Sequence, residues 1–218
     1  MITIVVDNKE IQVKERANLL KTCLEHEIYI PNLCYLDTLE HPPASCRLCF
    51  VEIEGHHQPV PSCQMEVVEN MVVITNTPAV RQLQRTALEL LLSVHHVDCG
   101  HCPANKKCEL QKIARFLKVG LKPKRLEHYR KDQETMDDHP FLSHYPNRCV
   151  LCGKCIQVCR EANGTPLMDF ADRGFKTLIR FYGHQTAETV PCDQCLACVE
   201  ICPVGAITLK NQTTAVES

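Results

Sequence analysis

Cys149-Val-Leu-Cys152-Gly-Lys-Cys155-Ile-Gln-Val-Cys159 and Cys192-Asp-Gln-Cys195-Leu-Ala-Cys198-Val-Glu-Ile-Cys202-Pro203 are the two stretches from which the rest of the sequence can be read. Both have the spacing C-x2-C-x2-C-x3-C, a short internal repeat with an insertion between its copies. The remaining cysteines are bunched as well: Cys23, Cys34, Cys46, Cys49 and Cys63, then Cys99, Cys102 and Cys108. Sixteen cysteines in 218 residues is about 7 %, below the roughly 8–10 % of a small disulfide scaffold. The N-terminus, Met-Ile-Thr-Ile-Val-Val-Asp, lacks the basic start and long apolar stretch of a secretory signal. No apolar run approaches the ~20 residues of a membrane span. These features point to a reducing, cytoplasmic setting, where bunched thiols read as metal ligands rather than disulfides.

Composition excludes several other functions. Charged residues at 23 % and hydrophobic residues at 44 % suit a folded protein of one or two domains. A net charge of −2 provides no general basic field for nucleic acid, and 5 % aromatics without Trp supply few base-stacking platforms. None of the eight glycines falls in a G-x-G-x-x-G pattern, so no NAD or FMN site is expected and no residue is singled out as catalytic.

Outward from the repeats, the pattern divides the chain into four parts. Over 1–78, the apolar runs Ile2–Val6 and Ile11–Val13 flank Asp7-Asn8-Lys9-Glu10, a hairpin signal. Residues 17–26 offer a short helix with Leu19, Leu20 and Leu24 on one face, and 71–75 a further strand. Over 79–118, Thr77 caps a helix that starts at Pro78, with a stripe of Val80, Leu83, Leu88, Leu91 and Leu92 running to His95. A second helix follows Cys108, and Gly120 is placed to end it. Residues 119–140, basic then acidic, read as a solvated linker in preference to a docking surface. Residues 141–218 hold the repeats and end in a tail, 211–218, that reads as frayed.

The spacings select the metal. Two C-x2-C-x2-C-x3-C runs with Pro after the last Cys form the bacterial ferredoxin arrangement for two [4Fe–4S] clusters, in which the fourth Cys of each run ligates the other cluster. One cluster is assigned to Cys149, Cys152, Cys155 and Cys202, the other to Cys192, Cys195, Cys198 and Cys159. Arg160 stands where the first run would carry its proline. Cys34, Cys46, Cys49 and Cys63 lie in Pro-punctuated sequence and suit a [2Fe–2S] rhomb, two thiolates per iron. Eleven residues separate Cys34 from Cys46 where the plant-type spacing has about four, so this loop departs from the plant form. Cys99, Cys102 and Cys108 leave one corner of a cubane unfilled. His95, at the end of the preceding helix, is the favoured fourth ligand, and His96, about 100° around a helix, is its rival. A neutral imidazole in place of a thiolate removes negative charge and raises the potential, as in Rieske centres. Structural zinc is the competing chemistry at each site. Cys23, in the apolar stripe of the first helix, reads as a small hydrophobe.

The ordered set C-x11-C-x2-C-x13-C, H-x3-C-x2-C-x5-C and two ferredoxin runs resembles the N-terminal cluster region shared by the large iron–sulfur subunit of complex I, iron-only hydrogenases, and NAD-reducing hydrogenases and formate dehydrogenases. The likeness covers nearly the whole chain. It implies an α+β chain with a β-grasp [2Fe–2S] ferredoxin-like domain, a small helical His-Cys cluster domain and a bacterial two-cluster [4Fe–4S] ferredoxin-like domain. Only 16 residues follow Cys202, which favours the diaphorase small subunit of a bidirectional NAD-reducing nickel–iron hydrogenase. That resemblance implies one [2Fe–2S] and three [4Fe–4S] clusters and a hetero-oligomer without membrane insertion. Its partners would be a flavin- and NAD-binding diaphorase subunit and a hydrogenase small subunit with its nickel–iron large subunit. The expected role is a non-catalytic electron conduit, with the iron–sulfur subunit of an NAD-dependent formate dehydrogenase or of an NADH:quinone oxidoreductase as the alternatives. A compact chain of this length has a radius of gyration of roughly 17 Å, which keeps four clusters near one another.

Overall fold

The computed structural model describes residues 1–182, 186 and 190–210; the tail expected to fray lies outside them. The chain forms two compact units, one of residues 1–93 with 109–127, the other of 94–108 with the residues from 128 onward.

The first unit is built on a mixed sheet with strand order β2-β1-β5-β3-β4, where β1 is Ile2–Val6, β2 Lys9–Val13, β3 Phe50–Ile53, β4 Val60–Pro61 and β5 Val72–Ile74. β1 and β2 pair antiparallel from Ile2↔Val13 to Val6↔Lys9. The connecting residues Asp7 (φ 48°) and Asn8 (φ 67°) are both left-handed, as a two-residue type I′ hairpin requires. β5 runs parallel to β1, and helix α1 (Leu19–Glu25) buries Leu19, Leu20 and Cys23 in the core that the sheet shares. This is the β-grasp arrangement. Asn18 caps α1 by accepting from the Lys21 amide at 3.2 Å.

Helix α2 (Pro78–Ser93) begins as the sequence suggests, with Thr77 Oγ1 accepting from the Val80 amide at 3.2 Å. Its buried face differs from the expected stripe. Leu83 is 37 % exposed, while Gln84 is fully buried and donates from Nε2 to the Phe50 carbonyl at 3.0 Å. One hydrogen bond at the end of β3 therefore outweighs the polarity of Gln84 and joins helix to sheet. Helix α3 (Glu109–Leu117) buries Leu110, Ile113 and Leu117. It ends before Gly120, because Lys118 takes the left-handed position (φ 55°) and the Val119 amide returns to the Ala114 carbonyl at 2.9 Å. Phe116 is turned outward, between Arg81 and Tyr29.

The second unit is loop-rich. Antiparallel pair β6 (Leu142–His144) and β9 (Ile207–Leu209) matches His144 with Ile207. Antiparallel pair β7 (Met168–Ala171) and β8 (Leu178–Phe181) matches Phe170 with Ile179. Helix α4 (Lys154–Asn163) carries Cys155 and Cys159, and short turns α5 (Cys192–Cys195) and α6 (Ala197–Glu200) carry the second run. The residue after the second Cys is left-handed in both repeats, Gly153 at φ 75° and Leu196 at φ 45°. Part of the expected linker is structured: Met136 exchanges backbone hydrogen bonds with His144, and Asn147 holds the Lys131 backbone through both ends of its amide.

Candidate metal centres

In the first unit, Cys34, Cys46, Cys49 and Cys63 are all buried. Ala44 (φ 49°) and Arg47 (φ 53°) hold left-handed backbone on either side of Cys46, a distortion that wraps the loop around its thiols. The thiols fall into two pairs. Cys34 and Cys46 share a hydrogen bond, Sγ to Sγ 3.5 Å, and Cys49 is hydrogen-bonded to Cys63. Each pair holds one proton readily and a second poorly. The bond from Cys46 lowers Cys34 to about 5 while Cys46 rises; Cys49 falls and Cys63 rises for the same reason. Two side chains absent from the sequence reading brace this loop. Ser62 donates from both Oγ (2.8 Å) and its amide (2.9 Å) to the Cys49 carbonyl. Asn18, already the cap of α1, donates from Nδ2 to the Cys63 carbonyl at 2.7 Å. Cys23 is fully buried in the core, and desolvation pushes its thiol up to about 12, as befits a hydrophobe.

In the second unit, one cavity is lined by Cys149, Cys152, Cys155 and Cys202, closed by the apolar side chains of Ile179, Val204 and Ile207. The fourth thiol thus comes from the distant run. Two left-handed turns, Leu151 (φ 52°) and Gly153, fold the first run around this space. Cys159, Cys192, Cys195 and Cys198 form the other neighbourhood; Cys198 feels the charge of the other three. Burial raises Cys149 and Cys198 to about 12 and Cys192 to about 11. An uncompensated thiolate is disfavoured in such places, whereas a thiolate bonded to a cation is not. Backbone amides point at the fourth sulfurs: Leu167 N–H donates to Cys159 Sγ at 3.2 Å and Ala206 N–H to Cys202 Sγ at 3.2 Å.

The segment 94–108 holds His95, Cys99, Cys102 and Cys108. His95 is half-buried, and desolvation lowers its imidazole to about 4, leaving it neutral near pH 7. Its Nδ1 donates to the Arg148 carbonyl at 2.9 Å, which fixes the tautomer with Nε2 bearing the lone pair. His96 uses its backbone amide, on the Asn147 carbonyl at 2.6 Å. Cys102 Sγ lies 3.8 Å from the carbonyl oxygen of Val204, a residue that also lines the four-thiol cavity. Arg148 immediately precedes Cys149. The His-Cys segment therefore abuts the Cys149 site through two separate contacts. Among the described residues, no three His, Cys, Asp or Glu side chains converge on one point as a single-ion site requires. Four thiols ringing a cavity, with an amide aimed at the Cys202 sulfur, have the donor set of a [4Fe–4S] cluster.

Known proteins carry the same segments. Residues 1–78 match the 2Fe-2S iron–sulfur cluster binding domain, residues 84–121 the NADH-ubiquinone oxidoreductase-G iron–sulfur binding region, and residues 139–208 the ferredoxin-like domain of NADH-quinone oxidoreductase subunit 3. The chain is 35 % identical over 215 residues to the NADP-reducing hydrogenase subunit HndD of Solidesulfovibrio fructosivorans, covering 95 % of this chain and 36 % of that protein. It is 32 % identical over 210 residues to the NADH-ubiquinone oxidoreductase 75 kDa subunit of Reclinomonas americana, covering 96 % of this chain and 30 % of that protein. The chain thus spans only about a third of the length of these curated relatives. A chain in the crystal structure of an NAD+-reducing [NiFe]-hydrogenase in the H2-reduced state superposes with a TM-score of 0.81 at 25 % identity, over 99 % of this chain and 90 % of that one. No helix among the described residues is long and apolar enough to cross a membrane.

Proposed function

We infer that this chain, a relative along nearly its whole length of the iron–sulfur subunits of NADH-type oxidoreductases, is an electron conduit between two redox modules. The reading assigns one [2Fe–2S] cluster to Cys34 and Cys46 on one iron with Cys49 and Cys63 on the other. It assigns three [4Fe–4S] clusters: to His95, Cys99, Cys102 and Cys108; to Cys149, Cys152, Cys155 and Cys202; and to Cys192, Cys195, Cys198 and Cys159. The observation that carries it is the cavity where Cys202 joins the three thiols of the first run under an apolar cover. Bound clusters supply one-electron steps; the chain holds them, keeps water out and tunes them through hydrogen bonds to sulfur. Within the second unit, the Arg148 carbonyl sits between His95 and Cys149, which supports transfer between these two sites.

The structural likeness to a chain of an NAD+-reducing [NiFe]-hydrogenase favours a cytoplasmic hetero-oligomer. In it, a flavin- and NAD-binding diaphorase subunit would lie at one end of the conduit and a hydrogenase small subunit, with its nickel–iron large subunit, at the other. The chain itself then carries no catalytic residue, and electrons pass through it in either direction. Anaerobic isolation with native partners tests the whole reading. Iron and acid-labile sulfide should both approach ~14 per chain, counting one [2Fe–2S] and three [4Fe–4S] centres. Stoichiometric zinc with little iron would end it. Co-purification of a nickel–iron subunit supports the hydrogenase assignment, and a molybdenum subunit would replace it with formate dehydrogenase.

A further inference from the structure

The ribbon β7–β8 has two different faces. Ile179 lines the four-thiol cavity, and its cross-strand partner Phe170 packs its ring 3.4 Å from where a Cβ on Gly153 would stand, on the rim of the same cavity. Leu178 and Arg180, on the opposite face by the alternation of a strand, line a separate cavity of about 330 Å³. One ribbon of backbone therefore separates this second cavity from the Cys149 site.

Its walls are cationic and aromatic. Arg130, Lys131, Lys176 and Arg180 surround it, against two carboxylates, Asp132 and Asp172. Among the described residues, none of these four cations forms an ion pair. Tyr129 and Phe175 stack at 4.5 Å with 17° between their planes, yet remain 48 % and 65 % exposed. Exposed stacked rings beside Arg130 and Arg180 have the composition of an interaction hot spot rather than of solvated surface. Asn147, two residues before Cys149, holds the Lys131 backbone through both ends of its amide, which brings this positive wall up to the cluster site.

We propose that this cavity docks an acidic, aromatic-contacting surface of the redox partner that exchanges electrons with the Cys149–Cys152–Cys155–Cys202 site. The proposal rests on the electron-conduit reading and adds the partner's chemistry and its landing place. Net positive charge beside the site steers an acidic partner and fixes its register, while the paired rings supply the desolvated contact. Closeness of the cavity to the thiols gives the position its use, because a partner seated there is one strand away from the cluster.

The test uses the complex isolated anaerobically with its native partners. Carbodiimide coupling, which joins an amine directly to a carboxylate, should link Lys131 or Lys176 to an Asp or Glu of a co-purified subunit. High salt should suppress that link. The double variant Lys176→Glu/Arg180→Glu should weaken subunit association about tenfold or more and flatten its salt dependence, with iron content unchanged. The neutral pair Lys176→Gln/Arg180→Gln should fall between. Full cluster loading with no such cross-link and unaltered association overturns the docking proposal alone. So does retention of inorganic phosphate in the cavity with partner binding unaffected by the charge reversal. Absence of iron from the isolated complex would instead overturn the reading beneath it.

Discussion

Gly205 sets the distance between the His-Cys segment and the turn that follows Cys202. Its φ is +63°, and a Cβ placed on it would meet the Ala104 Cβ at 2.9 Å and the Ala104 amide nitrogen at 3.3 Å. Neither neighbour is the end of a flexible side chain. In Gly205→Ala, left-handed backbone costs an L-residue about 1–2 kcal/mol. Forcing a methyl into the closed gap costs about 1–3 kcal/mol more. The expected destabilisation is therefore about 2–5 kcal/mol. A second substitution separates the two parts. Ala104→Gly removes the 2.9 Å contact but leaves φ and the 3.3 Å approach to the residue-104 amide, so the double variant should recover through coupling only part of the about 1–3 kcal/mol of steric cost and retain the conformational cost. Urea unfolding of the cluster-loaded chain under argon, followed by visible circular dichroism, measures all four corners of the cycle. Displacement of Ala104 should also move Cys102 from the Val204 carbonyl, now 3.8 Å away, and so perturb the EPR signal of the His-Cys site. A Gly205→Ala chain within about 0.5 kcal/mol of the parent, or a cycle without coupling, would refute the close-approach argument.

His95→Ala should remove one [4Fe–4S] EPR signal and about four irons while sparing the rest; the same loss in His96→Ala, with His95→Ala intact, would move the ligand role. Cys202→Ser should perturb the cluster of Cys149, Cys152 and Cys155, and loss of the Cys192–Cys195–Cys198 signal instead would reverse the crossed assignment. Burial holds the His144 imidazole at about 4 against an ordinary 6.5, so between these values only the unfolded chain takes up its proton. That stability is full well above pH 6.5 and is lost as the pH falls towards 4, on the order of 1 kcal/mol by pH 5.5, and His144→Leu should abolish this share of the slope in pH-dependent unfolding. Anaerobic removal of iron with a chelator should release hydrogen-exchange protection in β6 to β9 and α4 while β1, β5, α2 and α3 keep theirs; uniform loss across both units would contradict the division of stability argued below.

Local signals carried most of the fold. The Asp7-Asn8 turn, the Thr77-Pro78 helix start and the strand at 71–75 all rest on neighbours within a few residues, and the structure has β1–β2, α2 and β5 there. The family likeness, the 2Fe–2S and ferredoxin-like segments and the mixed helix and strand character were legible from cysteine spacing, because a cluster of fixed size needs its donors at short, set intervals along the chain. What could not be read depends on contacts distant in sequence. Gln84 displaces Leu83 from the core only because the Phe50 carbonyl, 34 residues earlier, needs a donor. Asn18 reaches Cys63 across 45 residues, and His95 reaches Arg148 across 53. The end of α3 at Lys118 shows the other limit: a left-handed residue need not be glycine, so Gly120 was a plausible but late terminator.

The two units hold themselves together differently. Among the described residues, the leucine, isoleucine and methionine side chains with under 2 % exposure are Ile4, Leu19, Leu20, Ile30, Leu33, Leu48, Leu88, Leu92, Leu110, Ile113, Leu117, Leu142, Met168 and Ile179. All belong to the first unit except Leu142, Met168 and Ile179. Each such side chain contributes about 1.5–3 kcal/mol on burial, so the β-grasp sheet and its helices have an apolar core of their own. The second unit has few such anchors, and its buried His139 and His144 imidazoles carry ring nitrogens that find no partner among the described residues. A chain segment so short of apolar burial needs another source of folding energy. Metal binding is that source when ligands from separate stretches must meet, since the binding free energy is then folding free energy. Cys202 meeting Cys149, Cys152 and Cys155 is such a meeting. On the proposed assignment, the groups that would move electrons through the second unit are also those that would hold its loops in place. Removing a ligand there should cost structure and conduction together, whereas removing Cys34 or Cys63 should cost the first unit its redox site and leave its sheet.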